Sequence, residues 1–549
     1  MPTTMLPNRL LAAAPAALAL ALWPCLGSAL SLGPAAIVSH RDGDPMTTAS
    51  HGAAFGAVSA DGEWLLFTSH STDLVPGQLD PTPFSPDVFL RRLGTGETRL
   101  VSRIAPGQAA SEQSLGIALS ADGRFALIES TSTGLIPGFI DGNGPNHPDL
   151  FLYDRDTDSF VLVTRSHLSP LRSATNSHSS RRLLAADGSA VLFEISGPTD
   201  LVGGYVDDPF SDRAIFRFDR LTGTVRLVSR AHHSLVQEAN GRSTAIGLSA
   251  DGRYALFESE ASNLIAGLSD TNGVGDAFLY DAVTDSLKLL SHLPAQPMVA
   301  GPGASALAIS EDAQWVFLRF AAGSLMPGIS DPAGAGLVVA QRRSDGHRVL
   351  LNRSVAQANA AANAPVFLQG ASADGRLVLA TSMATDLVAG IADAGHLDVF
   401  VLDRDGGPTR LVSKAHGAAQ SANGPSGAFA RISADGRFVL FASQATDLVP
   451  GWSGPMGGEH LFLSDVTGEV ALVDHVHGAP SQPATAPVID GLLPRAAALV
   501  LFRTIEPAGV FVPGASDPNS AIVGYRGDWF RRGFAAPDPS RIFADGFEG

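Results

Sequence analysis

Short apolar runs alternate with polar, glycine- and proline-rich breaks along this chain, and no stretch sustains a helical period. Between Ser114 and Ser166 the order is "SLGIALS", "ADG", "RFALIES", "TSTGLIPGFIDGNGPNHP", "DLFLYDR", "DTDS" and "FVLVTRS". The apolar runs have strand length and strand alternation. Asp-Gly supplies the positive φ of a tight hairpin turn, and "DTDS" is a second polar turn. The long Gly-, Pro- and Asn-rich piece reads as a loop. Four antiparallel strands are predicted, with short connections after the first and third and long ones after the second and fourth.

The same grammar returns along the chain. The turn aspartate falls at Asp61, Asp122, Asp187, Asp251, Asp312, Asp374 and Asp435, at intervals of 61, 65, 64, 61, 62 and 61 residues. An eighth copy near residue 496 has lost the turn signature, but "ALVLFRTIEPAGVFVPG" places Phe502 61 residues after Phe441. Eight four-stranded units predict an all-β fold, a single eight-bladed β-propeller over residues 35–530. A β-helix needs shorter rungs, and immunoglobulin-like domains need about 100 residues each. "AAIVSHRDG" (35–43) repeats the fourth-strand pattern before the first unit begins. The eighth unit ends on a third-strand pattern, "SAIVGYRGD" (520–528). The N-terminal strand is therefore expected to complete the last blade and remove the open edges. The competing assignment makes "WFRRGFA" (529–535) the fourth strand. Residues 531–549 read as a flexible tail.

The segment "SADGRYALFESEASNLIAGLSDTNGVGDAFLYDAVTDSLKLLS" resembles the TolB-like (PD-type, WD-like) propeller repeat of bacterial exported proteins. The recurring elements are Asp-Gly-Arg, "NLI-x-G", "D-x-N-G" and "D-x-F-x-x-D", in that order. The resemblance implies the propeller fold. It implies no single activity, because such propellers serve as binding platforms, scaffolds and enzyme domains.

The ends and the charge narrow the setting. Arg9, the apolar run Leu10 to Trp23 and the small residues Gly27-Ser28-Ala29 read as a secretory signal over residues 1–29. Cleavage there removes Cys25, the chain's single cysteine, so no disulfide is expected. The expected location is periplasmic or extracellular, with no membrane span. A net charge of −17 without a basic run argues against nucleic acid as a partner.

Strand parity puts all the long connections on one face, so that face and its central mouth are the expected working surface. Two of its loops carry oxygen donors spaced as a Ca²⁺ loop would need: Asp270, Asn272 and Asp276 in the fourth unit, and Asp141, Asn143 and Asp149 in the second. Asx-turns explain the same residues without a metal. Asn176, Asn240, Asn363 and Asn423 recur before the first strand, as turn residues or as a ligand ring. No Gly-x-Ser-x-Gly, His-Glu-x-x-His, P-loop or cysteine pair is present. His232-His233 and His475-x-His477 are the only close histidine pairs, and "RGD" occurs at 526–528. With no catalytic motif, the expectation is a monomeric, non-catalytic module. It would bind a protein, peptide or glycan through its long-loop face, with calcium as the one suggested cofactor. The alternative is a propeller-type hydrolase or polysaccharide lyase working at the central mouth.

Overall fold

The computed structural model describes residues 30–534, apart from positions 178, 210, 322–324, 358, 394, 456, 497 and 520–526. These residues form eight four-stranded antiparallel sheets. In blade 1 the strands are Ala53–Val58, Trp64–Ser69, Asp87–Arg92 and Thr98–Leu100. Blades 2 to 7 repeat that order through Val470–Leu472. Consecutive first strands face one another around the centre, so they line the channel and the fourth strands form the rim. No helix among the described residues is long and apolar enough to cross a membrane.

Blade 8 is assembled from both ends of the chain. Its strands are Val488–Leu492, Leu499–Thr504, Asp528–Gly533 and, outermost, Ala36–Ile37, which pairs with Arg531 and Phe530. The closure expected from "AAIVSHRDG" is therefore present. Its third strand is not where the sequence pattern placed it. Asp528–Gly533 occupies that position, in register with Leu499–Thr504. The described part of the segment 529–535 is thus mostly third strand rather than fourth, and residues 531–533 belong to that strand. The proposed signal segment and residues 535–549 lie outside the described residues.

Five blades (1, 3, 4, 7 and 8) pack a phenylalanine of the second strand on one of the third. The stacked pairs include Phe67–Phe89 at 5.6 Å, Phe257–Phe278 at 5.6 Å and Phe502–Phe530 at 5.5 Å. Such stacks add about 0.5–1.5 kcal/mol each beyond their buried area. Apolar clusters between blades complete the core. In the cluster at blade 8, Ile37 and Phe530 meet Leu461, Leu463 and Phe438 of blade 7.

The tight first-to-second turns do more than reverse the chain. Each is fixed internally: Ser120 Oγ donates to Asp122 Oδ1 at 2.6 Å and accepts the Phe125 N–H at 2.8 Å. Each also donates a backbone N–H to its neighbour in the next blade. The series runs Ala60 to Ala121, Ala121 to Ala186, Asp187 to Ala250, Ala250 to Glu311, Glu311 to Ala373, Ala373 to Ala434, Ala434 to Arg495, and Ala496 back to Ala60. Eight bonds close the circle. At a strand-like spacing of about 4.8 Å, eight backbones make a ring roughly 12 Å across. Arg495 of blade 8 and Glu311 of blade 5 form an ion pair at 2.5 Å, bridging two non-adjacent blades of this ring. The channel is narrowed at this face and opens towards the long loops.

Removing residues 30–38 strips the fourth strand from blade 8 and uncovers Phe530. The truncated protein is expected to melt well below the parent and less cooperatively. Calorimetric traces that superimpose would refute closure by this strand.

Candidate functional site

The second strands are apolar over their first four positions, and their fifth lies near the long-loop end. Around the circle that position holds Thr68, Glu129, Glu194, Glu258, Arg319, Thr381, Ala442 and Arg503. The first strands carry β-bulges there, as between Ala245 and Gly247 or Ala306 and Ala308. A bulge leaves a backbone group without a ladder partner, and the fifth-position side chain of the preceding blade supplies one. Thr68 Oγ1 accepts the Gly116 N–H at 3.0 Å, Glu194 Oε1 the Ala245 N–H at 2.7 Å and Glu258 Oε1 the Ala306 N–H at 2.6 Å. Arg319 donates to the Val366 carbonyl, and Arg503 to that of Ala53 at 3.2 Å.

Three further arginines from blade 3 crowd the same end of the channel. Arg182 pairs with Glu129 at 2.5 Å and Arg213 with Glu194 at 3.2 Å, while Ser180 also donates to Glu194 at 2.7 Å. Arg181 is exposed, donates to the Ala245 carbonyl at 2.8 Å and lies close enough to Glu258 to stabilise its anion. Counting Asp490, which pairs across the sheet with Arg503, the mouth holds five arginines and four acids. The chain as a whole has 54 acids and 37 Lys and Arg, so cationic side chains are concentrated here. Glu194 is fully buried and satisfied by three donors. Glu258 has one oxygen engaged, is half-buried, and its pKa is raised by burial, against the opposing pull of the Ala306 N–H and Arg181. Burial makes such a carboxyl group a stronger base than a solvated one once it is ionised. The sequence carried a signal for this ring, a single charge inside an otherwise apolar strand as in "FALIES" or "LVLFRT", but alternation alone made it look ordinary.

The residues singled out as calcium ligands do not meet at the mouth. Asp276 opens the third strand of blade 4, is fully buried, and accepts the Ser291 hydroxyl at 2.6 Å and the Asn272 amide at 3.1 Å. Asn272 also donates to the Gly301 carbonyl at 2.6 Å, and Asp270 Oδ1 accepts the Asn272 N–H at 3.3 Å. In blade 2, Asp149 accepts from Thr164 at 3.0 Å, and Asp141 accepts the N–H groups of Asn143 and Gly144 at 3.1 and 2.8 Å. The same clamp recurs in other blades: Ser102 on Asp87, Ser413 on Asp398 and Ser39 on Asp528, each at 2.6 Å. Coordinating a cation would require Asn272 to present its side-chain oxygen, where it now presents N–H, and Asp276 to release a donor. Among the described residues no group of three His, Cys, Asp or Glu stands ready to hold a metal.

Other candidates have structural partners. Asn240, Asn363 and Asn423 each clasp the start of a second-to-third loop, giving and accepting bonds with Ser262, Thr385 and Thr446. Asn176 donates to the Ser196 carbonyl at 2.6 Å. His232 and His233 pack edge to face at the surface, and His475 Nδ1 bonds the Val476 carbonyl at 2.9 Å. The aspartate of "RGD", Asp528, is fully buried in blade 8.

Burial raises the pKa of Asp149, like those of Asp87 and Asp398, to about 7. A carboxyl group whose folded pKa lies above its unfolded value contributes stability below the unfolded pKa, and that contribution is lost as pH rises through the folded one. Asp149→Asn is therefore expected to raise the melting temperature relative to the parent at pH 8 and to lose that advantage near pH 5. The hydrogen-bonded loops also predict superimposable melts with millimolar calcium and with chelator. A calcium-dependent rise that Asp270→Ala and Asp141→Ala abolish would place a cation there.

No family model and no curated protein matches the chain. Solved structures to which it is similar include a prolyl endopeptidase, at 12% identity over 83% of this chain and 55% of the other, with a TM-score of 0.42. They also include TolB from Acinetobacter baumannii, at 14% identity over 70% and 75% with a TM-score of 0.29. An oligogalacturonate lyase from Vibrio parahaemolyticus matches at 9% identity over 88% and 97%, with a TM-score of 0.39. The chain thus spans about half the length of the peptidase it matches. TolB and other propellers among the neighbours agree with the fold. The expectation of a non-enzyme is corrected: the neighbouring propellers belong mostly to peptidases and a lyase, so the missing sequence motif was no ground for denying catalysis.

Proposed function

We propose that the protein is an exported propeller enzyme that works at the long-loop mouth of its central channel, on an acidic polysaccharide, by β-elimination. The observation that carries this reading is Glu258 beside Arg181 at the open end of a channel whose other end is narrowed. Elimination from a uronate needs a cation on the carboxylate, which acidifies the neighbouring C–H, and a base to take that proton; the C–O bond to the adjoining sugar then breaks as the C=C bond forms, and the departing oxygen takes a proton from water. Arg181 supplies the first and Glu258 the second. Burial that raises the Glu258 pKa makes it a better base once ionised. The surrounding arginines suit an anionic chain, and Phe367, half-exposed with Arg319 4.9 Å over its ring, offers an apolar surface to a sugar. Hydrolysis is the second reading. Glu194 and Glu258 flank the same first strand through Ala245, and two carboxylates are what glycoside hydrolysis uses. Full burial and three donors tie up Glu194, which favours elimination.

Incubation with uronate polymers is expected to release unsaturated products, detected by ultraviolet absorbance. Activity should rise with pH through the raised Glu258 pKa. Glu258→Gln keeps an acceptor for the Ala306 N–H, so it should fold and lose activity at least 100-fold, within the range for a general base. Arg181→Gln should lower kcat as well as raise KM, because the cation acts on the charge that develops as the C–H is broken. New reducing ends without unsaturation would select hydrolysis, and neither product from any acidic polysaccharide would sink the reading.

A further inference from the structure

Where the ring closes, a second site stands on the outer rim, away from the channel. A pocket of about 370 Å³ lies between the N-terminal strand of blade 8 and the outer hairpin of blade 1. Ile37, Met46, Leu93 and Val512 make one side apolar, and Arg91 and Arg531 make the other cationic beside His40, whose pKa burial and Arg91 lower. Arg91 is only 3% exposed. Its guanidinium donates to Thr98 Oγ1 at 2.8 Å and meets His40 Nε2, and Arg531 donates to the Leu93 carbonyl. None of these partners is an anion, and among the described residues no carboxylate lies within ion-pair distance of either guanidinium. Asp42, exposed, and Asp44, near His40, act only at longer range.

Two guanidinium groups brought together out of water repel, and each loses hydration. Elsewhere the chain avoids this. Arg182, Arg213 and Arg217 have carboxylate partners, and the buried Arg532 is held between the carbonyls of Gly33 and His475. At the seam Arg91 feels Arg531 directly, and burial together with that repulsion lowers its pKa to about 10. A planar fork of N–H donors fits a carboxylate or phosphate, which would relieve both costs at once. We propose that this pocket binds a small oxyanion between Arg91 and Arg531, with any apolar body of the ligand lying along Ile37, Met46 and Val512. Ala36 and Ile37 line the same pocket, so the ligand also ties the N-terminal strand to blade 1.

Calorimetric titration and melting with inorganic phosphate and with hexanoate, at ionic strength matched by chloride, test the proposal. Saturable binding of either anion, with a rise in melting temperature that chloride does not give, is the expected result. Tighter hexanoate identifies a ligand with an apolar body, and tighter phosphate an inorganic or phosphoryl group. Arg531→Gln should weaken the preferred anion at least tenfold. Met46 is 40% exposed, so Met46→Glu should fold, bring a tethered carboxylate to the arginines, raise the melting temperature without ligand and remove the response. Absence of saturable binding by both anions overturns the proposal, as does a response that survives both substitutions.

Discussion

Eight backbone hydrogen bonds between successive first-to-second turns form the constraint on which the rest depends. Each joins main chain to main chain, so it survives wide variation in side chains. Units 5 and 8 show this, keeping their places in the circle with Glu311 and Arg495 where the others have alanine. A closed circle of fixed spacing sets the radius at one end of the channel. The first strands then twist away from it, and the space between blades grows towards the long loops. Side chains must fill that widening gap, which is why polar stitches from second strand to neighbouring first strand are found at the far end.

The stitches explain a coincidence of roles. A bulged first strand releases a backbone N–H or C=O, and either must be satisfied when partly buried. Thr and Glu answer the N–H, and Arg answers the C=O. One structural need therefore places acids in blades 3 and 4 and arginines in blades 5 and 8 at the channel mouth. Chemistry at the mouth needs no extra scaffold, only that one of these residues be left incompletely paired, and Glu258 meets that condition. The Asp clamps on the third strands follow the same logic at the rim. Their polarity can be reversed without harm: in blade 7, His460 of the third strand bonds Asp474 of the fourth at 2.8 Å. The turn arginine shows a parallel exchange. Arg124 pairs with Asp154 at 2.8 Å in blade 2, whereas in blade 1 Glu63 stands on the turn and Arg92 on the third strand, at 3.0 Å. Acids that can trade places with bases in this way are held by their partners within the fold.

Much of the architecture was legible because its signals are local. Asp-Gly turns, alternating apolar residues and a period near 62 residues report on neighbours in the chain, and closure by residues 35–43 followed from counting strands. The third strand of blade 8 was misplaced because "SAIVGYRGD" alternates as well as the true strand does. Register decides between them. The motif Asp-x-Phe recurs in Asp528-Trp529-Phe530, and it is Phe530 that stacks on Phe502. The mouth was illegible for a different reason. Its residues come from eight distant segments, and what sets Glu258 apart from Glu194 is the count of donors around each carboxylate, a property of packing rather than of pattern. Asp276 and Asn272 have two readings for the same reason, since oxygen-bearing residues at calcium-like spacing also suit a clamp in which the amide donates.

The seam between blades 8 and 1 is the one place where the repeat is broken, and its packing shows the consequence. Trp529 is fully buried there, and a Cβ on Gly56 would stand 2.4 Å from its ring. Glycine at that position of blade 1 is therefore required by an aromatic residue of blade 8, as Gly188 of blade 3 is by Phe125 of blade 2. Both ends of the chain converge on this junction, so its side chains are free of the pattern that fixes the other blades. An eightfold framework leaves two kinds of place where function can depart from structure: the mouth, where equivalent positions can be varied one at a time, and the seam, where equivalence ends. Arg91 and Arg531, which share one pocket without a carboxylate, stand at the second, and the half-satisfied Glu258 stands at the first.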